Sequence, residues 1–239
     1  MLGKLLRYEF KFYFRFIPIL YLAMVVLGLI AGIGGTPMLA NMARLMPILI
    51  VAMFTVNIVM IIQRYRVNLL KDEGYLMFTL PVPSWSLIAS KAIAALCTFL
   101  LTALAMLVSV LAYGLIRDPS AFMEGIAQVF QALGTSGTNN LASLLLTCLT
   151  VLIASLQQFC LIYAVMTAAQ LLPRFRGIAG FAAYFVAMLL EARLTEVLTQ
   201  GVVGNIVSIM LIISAVMLAF GSLYFWLSGW LLKRTLNLE

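Results

Sequence analysis

The chain has 239 residues, of which 64% are hydrophobic and only 10% charged, with a net charge of +7. A soluble domain is roughly half apolar and a quarter charged, so this composition excludes a water-soluble globule, and its hydrophobicity excludes disorder. Histidine is absent, which removes imidazole acid–base catalysis, serine–histidine dyads and histidine-bearing metal sites. The expected class is an all-α membrane protein forming a single transmembrane domain over 1–239. In such a chain the basic residues report topology rather than a nucleic-acid partner.

The first 16 residues predict an amphipathic interfacial helix. At 100° per residue, Lys4, Arg7, Lys11 and Arg15 share one narrow stripe, while Leu2, Leu5, Leu6, Phe10, Phe12, Tyr13, Phe14 and Phe16 cover most of the rest. A cationic stripe with aromatics beside it suits anionic lipid headgroups at the acyl boundary. No small-residue cleavage site follows, so the segment does not read as a signal peptide. Glu9 lies opposite the stripe and should need a basic or backbone partner.

Charges then bracket long uncharged runs: 28 residues between Arg15 and Arg44, 19 between Arg44 and Arg64, 25 between Lys91 and Arg117, 49 between Glu124 and Arg174, and 36 between Glu196 and Lys233. About 20 mostly apolar residues cross the hydrocarbon as a helix. The 49-residue run is interrupted by Gly134-Thr-Ser-Gly-Thr-Asn-Asn140, a turn-rich stretch that leaves one long span after it. Six spans are predicted, near 17–34, 45–63, 86–116, 141–172, 177–193 and 204–231.

Between the second and third spans, Arg64–Lys91 is the longest connection. Val67–Phe78 is compatible with a short surface helix carrying Lys71, Asp72 and Glu73 beside Leu69, Leu70, Tyr75, Leu76 and Phe78. Pro81 and Pro83 end it, and Ser84 can cap the third span. After the third span, Asp118 is a candidate N-cap with Pro119 at the first helical position. Phe122, Ile126, Phe130 and Leu133 recur at near-helical spacing in a segment expected to lie flat on the outer surface.

In the fourth span Ser143, Thr147, Thr150, Ala154 and Gln158 form a small and polar face, and Gln157 adds a second amide at mid-depth. With Asn57 of the second span, Thr147, Thr150, Gln157 and Gln158 are the candidate lining of a substrate path. Packing between helices is the competing reading, since buried amides commonly bond neighbouring spans for about a kilocalorie or less. Gly180, Ala183 and Ala187 in the fifth span, and Ala215, Ala219 and Ser222 in the sixth, read as close-packing faces. Cys97, Cys148 and Cys160 lie in apolar runs without metal-ligand or redox spacing and read as buried hydrophobes.

The fifth span is short: only 14 uncharged residues separate Arg176 from Glu191. Glu191, Arg193 and Glu196 are therefore expected at the far interface, with Val197–Gly204 returning as a re-entrant element towards the sixth span. With six spans, twelve basic residues fall on one side and three (Arg44, Arg117 and Arg193) on the other, which places both termini in the cytoplasm.

The run Glu73-Gly-Tyr-Leu-Met-Phe-Thr-Leu-Pro81, followed by Leu87 and Ser90-Lys91 entering a span, resembles the loop after the second span in type-2 ATP-binding-cassette (ABC) exporter permeases. The resemblance covers nearly the whole chain, through the basic amino-terminal helix, the six spans, the inward termini and the short fifth span before a re-entrant segment. It departs at Pro83, two residues after Pro81. The resemblance implies a prokaryotic plasma-membrane permease and a coupling helix in which Lys71, Asp72, Glu73, Gly74 and Tyr75 engage a separate ATPase subunit. It also implies a second permease chain, identical or merely similar. ATP and Mg would be bound by that ATPase, because this chain has no GxxxxGK[ST] loop to cradle phosphates, and it is expected to hold no cofactor and to be no enzyme itself.

Rival classes fare less well. Aspartyl intramembrane proteases need two embedded aspartates, and the two here, Asp72 and Asp118, are expected on opposite sides of the membrane. An ion-coupled carrier should hold a charge at mid-depth, and on the predicted span boundaries no span does. A non-catalytic assembly or regulatory membrane protein remains the alternative, since it needs no site at all.

Overall fold

A computed structural model describes residues 2–33, 37–70, 84–134, 140–171, 176–200 and 206–235. Among these residues every regular element is an α-helix: α1 (Leu2–Gly32), α2 (Pro37–Leu70), α3 (Ser84–Arg117), α4 (Pro119–Gly134), α5 (Asn140–Ala169), α6 (Arg176–Gln200) and α7 (Ile206–Thr235). Five stretches are long and apolar enough to cross a membrane: Leu45–Leu69, Trp85–Arg117, Leu144–Ala169, Gly177–Gln200 and Val207–Leu232. The count reaches six if the bent pair Gly3–Arg15 and Ile17–Gly32 is one span. The chain is thus a helical protein of the multi-pass membrane type.

α1 bends by 45° between Arg15 and Ile17. Pro18 gives the cause: it lacks an amide N–H, and its ring collides with the carbonyl one turn earlier. Lys4, Arg7, Lys11 and Arg15 are all exposed, while Glu9 and Tyr13 are buried. Glu9 is not without a partner.

The helices divide into two compact units. The first comprises residues 3–61 and 93–131. Its seam is polar: the Tyr21 hydroxyl lies 3.0 Å from the Thr98 carbonyl and 2.7 Å from Thr102 Oγ1. Asn57 donates from Nδ2 to the Thr98 carbonyl at 3.1 Å and also to Thr102 Oγ1. Ser109 donates to the Met24 carbonyl at 2.9 Å. α1 can approach α3 this closely because residue 28 is glycine; a Cβ there would stand 2.5 Å from Ser109 Oγ and 2.6 Å from the Ser109 carbonyl oxygen. Small residues at such crossings let backbones meet where lipid offers no hydrophobic drive.

α4 starts as its sequence predicts. Asp118 Oδ1 accepts from the Ser120 hydroxyl at 2.8 Å and the Ala121 N–H at 3.3 Å, with Pro119 at the first helical position. The Ser120 hydroxyl, and after it the Ala121 N–H, hold the exposed Asp118 carboxyl below its ordinary range.

The second unit comprises residues 62–92 and 132–239. α7 packs along α5, and α6 packs on both. Thr147 meets Met210 while Gln157 meets Gly221, so α5 and α7 run parallel. Gln157 meets Glu191 while Val165 and Ala169 meet Gly180, so α6 runs antiparallel to α5. Cys160, Leu161, Ala164 and Tyr224 form the apolar centre. Where α2 and α3 enter this unit, Tyr65 stacks on Tyr163 at 4.3 Å, its hydroxyl is 2.9 Å from Thr167 Oγ1, and Tyr163 donates to the Lys91 carbonyl at 3.3 Å.

Three expectations change here. α6 does not stop at 193: it runs unbroken to Gln200, so Val197–Gln200, the start of the expected re-entrant element, is helix, and 201–204 lie outside the described residues. Its interior beyond Gly180 carries neither glycine nor proline, Arg193 pairs with Glu196 at 3.2 Å, and Thr195 and Thr199 return their hydroxyls to the carbonyls four residues back. The packing face of α7 is not Ala215, Ala219 and Ser222, which are exposed; it is the adjacent row of Ser214, Gly221, Tyr224 and Ser228. Of the cysteines, Cys160 is buried but Cys148 faces outward.

Candidate functional site

The second unit places a carboxylate inside its helices. On α6, Gly180, Tyr184, Ala187 and Glu191 follow at intervals of four, three and four, which is one helical face, and all four are partly buried. Gly180 approaches the Ala169 methyl closely, since a Cβ on it would lie 3.3 Å away. Ala187 and Tyr184 pack on the Cys160 cluster. The same face therefore carries Glu191 onto α5, where Gln157 Nε2 donates to Glu191 Oε2 at 2.8 Å.

Gln157 is 2% exposed. Tyr224 from α7 also interacts with the Glu191 carboxyl, and Tyr184 lies within its electrostatic reach. The Tyr184 hydroxyl donates to Gln158 Oε1 at 3.2 Å. α7 lies against this arrangement at Gly221, where a Cβ would be in van der Waals contact with Gln157 Cβ at 3.4 Å. Phe220 stacks with Tyr224 at 5.9 Å on the same helix.

The position of the group along its helices follows from helix geometry. At 1.5 Å per residue, Glu191 is about 22 Å from the Arg176 end of α6, Gln157 about 18 Å from the Ala169 end of α5, and Tyr224 about 16 Å from the Thr235 end of α7. Glu191 thus stands towards the Gln200 end of α6, which continues for nine residues beyond the carboxylate.

The other sequence candidates fall in different places. Thr150 returns its hydroxyl to the Leu146 carbonyl at 2.8 Å, and Thr147 contacts Met210 Sδ at 3.8 Å. Gln157 and Gln158 are brought together with Glu191 and Tyr184, whereas Asn57 belongs to the first unit and spends its amide on α3. Lys71, Asp72, Glu73, Gly74 and Tyr75 lie outside the described residues. A shallow apolar groove at the bend of α1, lined by Tyr13, Ile17, Tyr21, Thr98 and Leu101 among others, has about 200 Å³ of open space and no charged wall. Sequence reading missed Glu191 and Tyr224. The signal was present in the spacing of Gly180, Tyr184, Ala187 and Glu191, which extends a small-residue face directly to an acid.

Comparison with known proteins gives no match: no family model, no curated protein and no solved structure matches this chain.

Proposed function

We propose that this chain is the membrane subunit of a type-2 ABC exporter, coupled to a separate ATPase and working beside a second permease chain in a prokaryotic plasma membrane. The observation that carries the reading is the run Glu73–Pro81 between two long apolar helices, ending ten residues before Lys91. The bent, basic α1 and the five further long apolar stretches support it, because they fit an interfacial half-helix followed by six spans. The twelve-to-three bias of basic residues supports cytoplasmic termini.

On this reading, closure of the partner's nucleotide-binding subunits on ATP pushes the segment around Glu73, and α2 and α3 carry the motion into the spans. A path with few polar groups suits an amphipathic peptide, a lipid or a hydrophobic drug better than a highly charged solute. The test is Glu73→Lys, which reverses one charge without touching the spans. The variant should insert normally and lose most co-purifying ATPase and export. Unchanged association together with unchanged export would remove the coupling assignment.

A further inference from the structure

We propose that Gln157 and Glu191, with the aromatic rings of Tyr224 and Tyr184 around them, form a binding site for a protonated amine within the second unit. The argument is an inventory of donors and acceptors. Glu191 Oε2 receives the Gln157 amide and Tyr224 also reaches the carboxyl, but Glu191 Oε1 and Gln157 Oε1 are both buried and have no hydrogen-bond partner among the described residues. Two buried oxygen acceptors beside one another, one of them on a carboxylate, are costly without donors. A buried carboxylate oxygen is costlier still unless something of opposite charge reaches it.

Among the described residues, the groups facing Glu191 are Gln157 from α5, Tyr224 from α7 and Tyr184 of its own helix, and none of them is a cation. Arg193, two residues on, is spent on Glu196 at the exposed side of α6. Among the described residues the site therefore lacks a positive charge carrying several N–H donors. An alkylammonium offers that combination, with three donors on one nitrogen. A divalent metal ion suits the site poorly: calcium takes six to eight oxygens, and no cluster of three acidic, cysteine or histidine side chains occurs among the described residues. Tyr224, Phe220 and Tyr184 pack at the neighbouring apolar cluster and add walls that favour an aliphatic tail. The ligand class is thus an amphiphile with a primary or secondary amine. Its source is either a free alkylamine or an aminophospholipid headgroup. Binding is a property of the isolated chain and does not depend on the exporter reading.

The test uses the full chain in phosphatidylcholine nanodiscs, whose headgroups have no N–H donor, with radiolabelled dodecylamine as the probe. Wild type should bind it saturably, and Glu191→Gln should weaken binding by about tenfold or more, as expected for a lost charge-assisted bond. Glu196→Gln removes an equal charge from the exposed side of the same helix and should bind as wild type. Glu191→Asp keeps a carboxylate and should retain part of the affinity, which separates loss of the ligand from loss of the fold. Dodecanol should not compete. Equal binding by Glu191→Gln, equal competition by dodecanol, or no saturable binding to wild type because a proton alone fills the site, would each overturn the proposal. Replacing part of the lipid with phosphatidylethanolamine decides the source. Displacement of the probe assigns the headgroup, and undiminished binding assigns the free amine.

Discussion

Two threonines on neighbouring helices show how differently the same side chain can act. Thr102 Oγ1 lies 2.7 Å from the Tyr21 hydroxyl and also receives the Asn57 amide, tying α1 and α2 to α3. Thr55 faces outward and only returns its hydroxyl to the Val51 carbonyl at 2.8 Å. Thr102→Val should therefore cost about 1 to 2 kcal/mol, the upper range for polar links between membrane helices, while Thr55→Val should change stability by less than about 0.5 kcal/mol. Unfolding in mixed detergent micelles measures both, and equal effects would refute the polar seam. Asn57 and Gln157 stand out in the sequence as amides within apolar runs, and both are buried. Their partners were not legible. Asn57 meets the Thr98 carbonyl 41 residues away, and Gln157 meets Glu191 34 residues away, and such distances depend on how helices cross rather than on local pattern.

At the scale of elements, long uncharged runs made the helices readable because hydrocarbon-length segments leave a compositional trace. The limits of α6 were not readable by that rule. Glu191, Arg193 and Glu196 look like the start of an aqueous boundary, yet Glu191 turns inward to Gln157 while Arg193 and Glu196 neutralise one another at 3.2 Å. A nitroxide scanned from residue 188 to 200 should show oxygen accessibility oscillating with a period of about 3.6 residues to the end. Loss of that periodicity after 193 would return the short span and the re-entrant element. The bend of α1 was legible in part: the basic stripe over the first 16 residues separates an interfacial helix from the span that follows, and the structure puts 45° there.

The whole molecule joins two units through α2 and α3, which pass from one to the other and are separated in sequence by the segment 71–83. If an ATPase acts on that segment, its work enters both helices at once, and through them both units; this is the physical content of the exporter reading. Nothing in the proposed amine site requires an ATPase, so the two ideas stand or fall separately. The most direct measurement of the central claim is a pull-down of the tagged chain from its native membrane in mild detergent, followed by mass spectrometry and an ATP-hydrolysis assay. The exporter account predicts a Walker-motif ATPase in roughly equal amount and hydrolysis that copurifies with it. Recovery of this chain alone, without hydrolysis, would contradict the account and favour an assembly or regulatory role.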